Sequence, residues 1–232
     1  MKEVVANPLF GLTLSIFAYF IAAQIHRKWT NPATTPLLLA VMMVIIFLKA
    51  TGISYSDYYV GGSYLNTLII PSTVALGIPL FQAFKLMKFH ARSIIAGVVI
   101  GAIVNTTLTA LLAKAFGMNF FLAISLFPKS VTTAMAIGIT SKMGGMTTIT
   151  LVVVVATGIL TSVVGPVLLD LFGIKDKVAK GVALGGTGHA IGTGAAMQLG
   201  QIEGAMAGLS IGVTGIVYVI VSPIIAAIIL KI

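Results

Sequence analysis

Lys129 stands in the stretch Leu126 to Thr133, LFPKSVTT, inside an apolar segment long enough to cross a bilayer. An ionisable group at that depth costs about 2.5 to 3.5 kcal/mol on insertion scales, and it characteristically faces a cavity or a partner. Anion binding beside such an amine would be linked to its protonation. Ser130, Thr132 and Thr133 follow it with hydroxyls. The amides after the Pro128 break would present the N-terminus of a half-helix, where backbone N–H groups and the helix dipole favour negative charge. The plain alternative is a lysine that snorkels to an interface while its neighbours' hydroxyls bond the helix backbone.

His189, in GGTGHAIGT, is the one histidine away from a basic loop, and Thr187 and Thr193 flank it. It could carry a proton at physiological pH or hold a substrate oxygen; the alternative is a structural donor. The glycines around it form no GxxxxGK[ST] phosphate loop and follow no strand pattern, which argues against a nucleotide site. The acidic residues are Glu3, Asp57, Asp170, Asp176 and Glu203, none of them placed by the sequence deep in a continuous span, so carboxylate coordination of a metal is unsupported. There is no HExxH, no carboxylate pair and no cysteine. We therefore expect neither an enzyme, nor a cofactor, nor a metal site, nor disulfide chemistry.

These residues need a membrane scaffold. The chain has 232 residues, 58% hydrophobic and 8% charged, with a mean hydropathy of +1.12, which excludes an ordinary soluble domain. The formal charge of +9 comes from basic residues scattered in short joints between apolar runs, a positive-inside pattern and not a nucleic-acid surface. We expect one membrane domain over 1–232, all-α, with six to eight segments and multi-pass in the bacterial inner membrane. The run from Leu9 to Ile25 is read as a retained helix and not a cleaved signal, because His26, Arg27 and Lys28 follow it.

Continuous apolar runs predict helices near 8–25, 36–50, 93–113, 147–172 and 204–230. Three segments break the pattern: 62–82 with Pro71 and Pro79, 118–140 with Pro128, and 181–200 with Gly185, Gly186, Gly188, Gly192 and Gly194. Proline removes a backbone donor and clashes with the preceding turn, and glycine-rich stretches make poor lipid-facing helices. Interrupted backbone is tolerated at membrane depth only where protein or a water-filled cavity satisfies it, so these segments should be broken or re-entrant and converge on one polar cavity. Making 118–140 a re-entrant hairpin also puts the basic clusters at Arg27/Lys28, Lys85/Lys88/Arg92 and Lys175/Lys177/Lys180 on one side. Pro71-Ser72-Thr73-Val74 faintly echoes Pro128-Lys129-Ser130-Val131, as paired interruptions do in transporters built from repeats. Gly97 and Gly101 read as close helix packing.

FPKSVTTAMAIGI, the following Gly144-Gly145, and KGVALGGTGHAIGTGAA, in that order, resemble the LrgB/CidB family of bacterial membrane proteins, and IIPSTVALGIPLF is similar to that family's earlier proline-broken segment. The resemblance spans about residues 50–230. It implies a holin-like or antiholin-like factor that works with a smaller LrgA/CidA-like membrane protein and modulates murein hydrolase activity and lysis. A related plastid protein exports glycolate and imports glycerate, and bacterial pairs are associated with pyruvate and similar acids. This chain has Ala134 where members often have proline, and Ala195 where they often have a basic residue. Two expectations follow. One is a secondary carrier of small 2-oxo or 2-hydroxy monocarboxylates, with Lys129, Ser130, Thr132, Thr133, Thr187, His189 and Thr193 around the anion. The other is a lysis regulator acting through helix association, as a homodimer joined by a small partner.

Overall fold

The computed structural model describes residues 7–29, 34–68, 71, 78, 81 and 84–230, and among them there is no strand. The protein is an all-α integral membrane protein. It divides into two compact units, Met1–Ala75 and Leu76–Ile232.

In the first unit, α1 (Pro8–Lys28) starts with Pro8 at a position whose N–H would be unpaired anyway, and the Asn7 side chain caps the Leu9 amide at 2.9 Å. Its last turn carries His26, Arg27 and Lys28, which suit the negative end of the helix dipole. α2 (Pro36–Thr51) stops at Gly52, whose φ of 69° is the left-handed conformation of a helix C-cap. Its 16 residues extend about 24 Å, short of the roughly 30 Å hydrocarbon core, so this run is less than the full span its hydropathy predicts. α3 (Tyr55–Thr67) was not anticipated, because its mixed tyrosine, serine and glycine composition masks a helix. Gly11 and Gly61 let α1 and α3 touch: a Cβ on Gly11 would strike the Tyr58 carbonyl, and one on Gly61 the Pro8 carbonyl. Ser15 and Tyr58 hydroxyls join the two helices at 2.8 Å. The interruption expected in 62–82 lies outside the described residues beyond Leu68, apart from the isolated Pro71, Ile78 and Phe81.

The second unit holds three long helices, α4 (Phe84–Ala115), α7 (Thr147–Leu171) and α9 (Gln201–Ile225, continued by a π-helical turn Ala226–Leu230). Between them lie α5 (Phe120–Leu126) with α6 (Thr133–Lys142), and α8 (Lys177–Leu199). The 118–140 segment breaks as expected, since helix stops at Leu126 and restarts at Thr133, past Pro128. It also turns back on itself. The Thr150 hydroxyl donates to the Ser125 carbonyl at 2.9 Å and accepts from the Thr140 hydroxyl at 2.9 Å. In an unbroken helix, residues 125 and 140 would lie about 22 Å apart.

α8 reverses as well, but not at its glycines. The break falls on His189, at φ 45° and ψ −132°, while Gly185, Gly186, Gly188 and Gly192 keep negative φ inside helical arms. The sequence reading therefore misplaced the break. The physical reason is that these glycines serve close approach. A Cβ on Gly192 would run into the Leu184 carbonyl of the other arm, one on Gly181 into the Glu203 carbonyl of α9, and one on Gly185 into the Ala207 carbonyl. Glu203, in the first turn of α9, is buried by this packing.

Candidate functional site

α4, α8 and α9 line a cavity of about 480 Å³. One end of it is lined by His90 and Ser93 from the start of α4 and by Asp176, Val178 and Ala179 from the start of α8. These are the helix ends beside Lys85, Lys88 and Arg92, and beside Lys175, Lys177 and Lys180. Asp176 itself caps α8, its side chain accepting the Ala179 amide at 2.7 Å. The walls include Gly97 and Gly101, where a Cβ would meet nothing within 4 Å. Those two glycines keep space open and do not pack helices, as the sequence had suggested they would.

The deep end is polar: Asn105 from α4, Ser130 from the Pro128 turn, and Thr214 and Tyr218 one turn apart on α9. The Asn105 amide nitrogen donates to the Tyr218 hydroxyl and approaches Ser130 Oγ at 3.5 Å. Its carbonyl oxygen accepts from Lys129 Nζ at 2.8 Å. Lys129 Nζ also donates to Thr109 Oγ1 at 2.6 Å, and Thr109 in turn donates to the Asn105 backbone carbonyl at 2.7 Å. Lys129 is thus half-buried behind the floor and does not line the cavity. Thr214 Oγ1 is buried with no hydrogen-bond partner among the described residues, and so are Thr106 Oγ1 and Ser222 Oγ.

The structure brings together Ser130 and Thr187 on the cavity wall, with Gly186 beside them and Lys129 one side chain behind. It sets His189 and Thr193 elsewhere. The His189 ring donates from Nε2 to the Val154 carbonyl at 3.0 Å and lies against Gly158 of α7. Thr193 donates to the His189 carbonyl at 2.9 Å. Thr132 and Thr133 begin α6, are partly exposed and do not line the cavity. Among the described residues no group of three or more histidines or carboxylates could hold a metal ion.

Sequence reasoning missed Asn105, Thr214, Tyr218 and His90. Asn105 and Thr106 sit in a run so apolar that averaged hydropathy hides them; a polar pair at mid-span was the available signal. His90 was assigned to a basic loop although it heads a helix.

Helices folded back around a polar-floored cavity define an all-α membrane protein with an internal cavity. The chain belongs to the LrgB-like family, whose sequence profile matches residues 15–228. It is 33% identical over 223 residues to the antiholin-like protein LrgB of Bacillus subtilis (strain 168), covering 96% of each chain. It is 32% identical over 218 residues to the proteins of the same name from Bacillus mycoides (strain KBAB4) and Bacillus cereus (strain B4264), covering 94% of this chain and 95% of theirs. No solved structure matches it.

Proposed function

We propose that this LrgB-family protein is a secondary carrier of small 2-oxo and 2-hydroxy monocarboxylates of the pyruvate, glycolate and glycerate type, multi-pass in the bacterial inner membrane. The observation that carries this reading is the cavity floor. Asn105 turns its carbonyl to the Lys129 ammonium and its amide hydrogens toward Ser130 and Tyr218 at the cavity end. An anion there would accept from the Asn105 amide and the Ser130 and Tyr218 hydroxyls, with the ammonium as counter-charge behind them. At 6 Å and an effective dielectric of about 20, that charge contributes on the order of 3 kcal/mol of attraction. Because the amine contacts the substrate only through Asn105, it need not be stripped of its own hydrogen bonds when the anion leaves. In this reading Pro128 ends a re-entrant half-helix, and the basic end of the cavity faces the cytoplasm.

The test is saturable, substrate-specific uptake of glycolate or pyruvate in proteoliposomes, with acetate and a dicarboxylate as controls. Flux that is linear in concentration and blind to the acid would sink the carrier reading.

A second reading has the antiholin-like names of the relatives behind it: a holin-system regulator of murein hydrolase activity and lysis acting through membrane partners. We propose that such partners are a second copy of the chain and a small LrgA/CidA-like protein. Crosslinking in membranes that yields only monomer, with or without the small protein coexpressed, would count against both associations.

A further inference from the structure

The second unit repeats itself. The folded-back pair α5 and α6 runs from Phe120 to Lys142, and the folded-back α8 runs from Lys177 to Leu199; both ends are displaced by fifty-seven residues. Each is followed by a helix of 25 residues, α7 and α9. The same displacement relates Thr157-Gly158-Ile159 to Thr214-Gly215-Ile216, and Gly165-Pro166 to Ser222-Pro223. It also carries Pro71 to Pro128 and Pro128 to Gly185, and Gly101 to Gly158 and Gly158 to Gly215. One fixed spacing therefore relates the hairpin ends, the glycines and the late prolines.

Contacts are also exchanged between the copies. A Cβ on Gly158 of α7 would lie 2.7 Å from His189 Cε1 at the tip of the α8 hairpin, and one on Gly215 of α9 would lie 2.8 Å from Met135 Cε at the tip of the α5/α6 hairpin. Tyr218 and Val131 share one buried cluster, and a Cβ on Gly188 would meet Thr161 at 2.7 Å; Tyr218 and Thr161, and Gly188 and Val131, are equivalent positions. Each long helix thus touches the hairpin of the other copy at a glycine. Ser130 and Thr187, also equivalent, line the same cavity. A hairpin ends on the face where it began, and α7 then makes a single passage to the next hairpin. The two copies consequently lie in opposite senses across the membrane, the arrangement that places a binding site at the interface of inverted repeats.

We propose that residues 120–171 and 177–228 are inverted copies of one hairpin-and-helix unit, and that the cavity at Thr214 and Tyr218 has a mate opening to the opposite face, lined by their equivalents Thr157 and Thr161. The two cavities are alternative states, interchanged when the hairpin tips shift against Gly158 and Gly215. What passes between them rests on the carrier reading; the inversion of the copies does not.

The chain contains no cysteine, so single cysteines can be placed without background. In sealed vesicles of known orientation, a membrane-impermeant maleimide should label Met118→Cys and Met146→Cys from one face, and Lys175→Cys and Leu199→Cys from the other. Thr214→Cys should react at least about tenfold faster from the face of Lys175, and Thr157→Cys from the face of Met118, with Thr161→Cys as a second reporter should Thr157→Cys fail to insert. Labelling of Met118→Cys and Met146→Cys from opposite faces would overturn the inversion. Reaction of Thr157→Cys and Thr161→Cys from the Lys175 face, or from neither, would overturn the mate cavity. The expected labelling pattern without saturable glycolate or pyruvate flux would uphold the inference and remove the carrier reading alone.

Discussion

The ammonium of Lys129 lies 2.8 Å from the side-chain oxygen of Asn105, which stands 24 residues earlier, on α4. That one contact joins the Pro128 turn to the wall of the cavity. It also orients the Asn105 amide, because a carbonyl held by an ammonium leaves the NH2 group to face Ser130 and Tyr218.

Replacing Asn105 therefore separates charge from shape. Asn105→Asp should fold, since a carboxylate accepts from Lys129 more strongly than an amide does, but it presents no donor and neutralises the ammonium. Uptake of a monocarboxylate should fall at least about a hundredfold in the liposome assay while the detergent melting temperature holds. Asn105→Leu leaves the amine and the Tyr218 hydroxyl short of a partner, and should cost about 1–3 kcal/mol of stability as well as transport.

Lys129→Met removes a charge whose burial is itself costly, so expression and melting should change little while saturable uptake is lost. Lys129→Arg should rescue only partly, because the planar guanidinium cannot keep both short contacts, to Asn105 and to Thr109 at 2.6 Å, in the geometry of a compact ammonium. A merely snorkelling lysine would tolerate arginine fully. Normal transport by the methionine variant would take Lys129 out of the mechanism.

His189 should behave as a clasp between hairpin and helix. His189→Ala loses the bond to the Val154 carbonyl and leaves space against Gly158, and we expect a drop of about 1–3 kcal/mol in stability with the half-saturation concentration for substrate unchanged. A variant that melts like the parent but has lost any dependence of uptake on pH would assign the ring a role in proton coupling instead.

The glycines should divide into two classes. At Gly185 a Cβ meets the backbone of Ala207, which cannot step aside, so Gly185→Ala should abolish the folded protein or its membrane insertion. At Gly101 it meets nothing, so Gly101→Ala should fold normally and act only by narrowing the cavity, with a larger loss for three-carbon than for two-carbon acids. Comparing monodisperse yield with uptake for the two variants checks both.

The membrane class, four of the long helices and the Pro128 break were legible because each rests on a local property: an apolar run or a missing backbone donor. The family was legible from two long motifs at the right separation. What was not legible depends on contacts between distant residues. The bend at His189 was assigned to the glycines because their conformational freedom is a local signal, whereas their use here, to admit the backbones of Leu184, Glu203 and Ala207, appears only when the arms are brought together. Asn105 escaped for the opposite reason, since a single amide scarcely lowers the hydropathy of a helix and its importance comes from Lys129 and Tyr218. The four-residue echo at Pro71 and Pro128 was visible, but its spacing gained weight only when the helices bounding each hairpin fell into the same step.

The two hydrogen bonds of the Thr150 hydroxyl bear on how the protein is made. The first hairpin has its two arms joined through a hydroxyl that belongs to α7, and the Met146 amide, just before α7, is satisfied by Ser125 Oγ at 2.7 Å. Until α7 has entered the bilayer, the Ser125 carbonyl and the Thr140 hydroxyl lack those partners in a medium that offers no water to replace them. The hairpin is therefore expected to gain its full set of hydrogen bonds only with the next helix. Residues 120–171 are therefore expected to enter the membrane as one block, and a nascent chain halted after Lys142 should leave that segment at the surface.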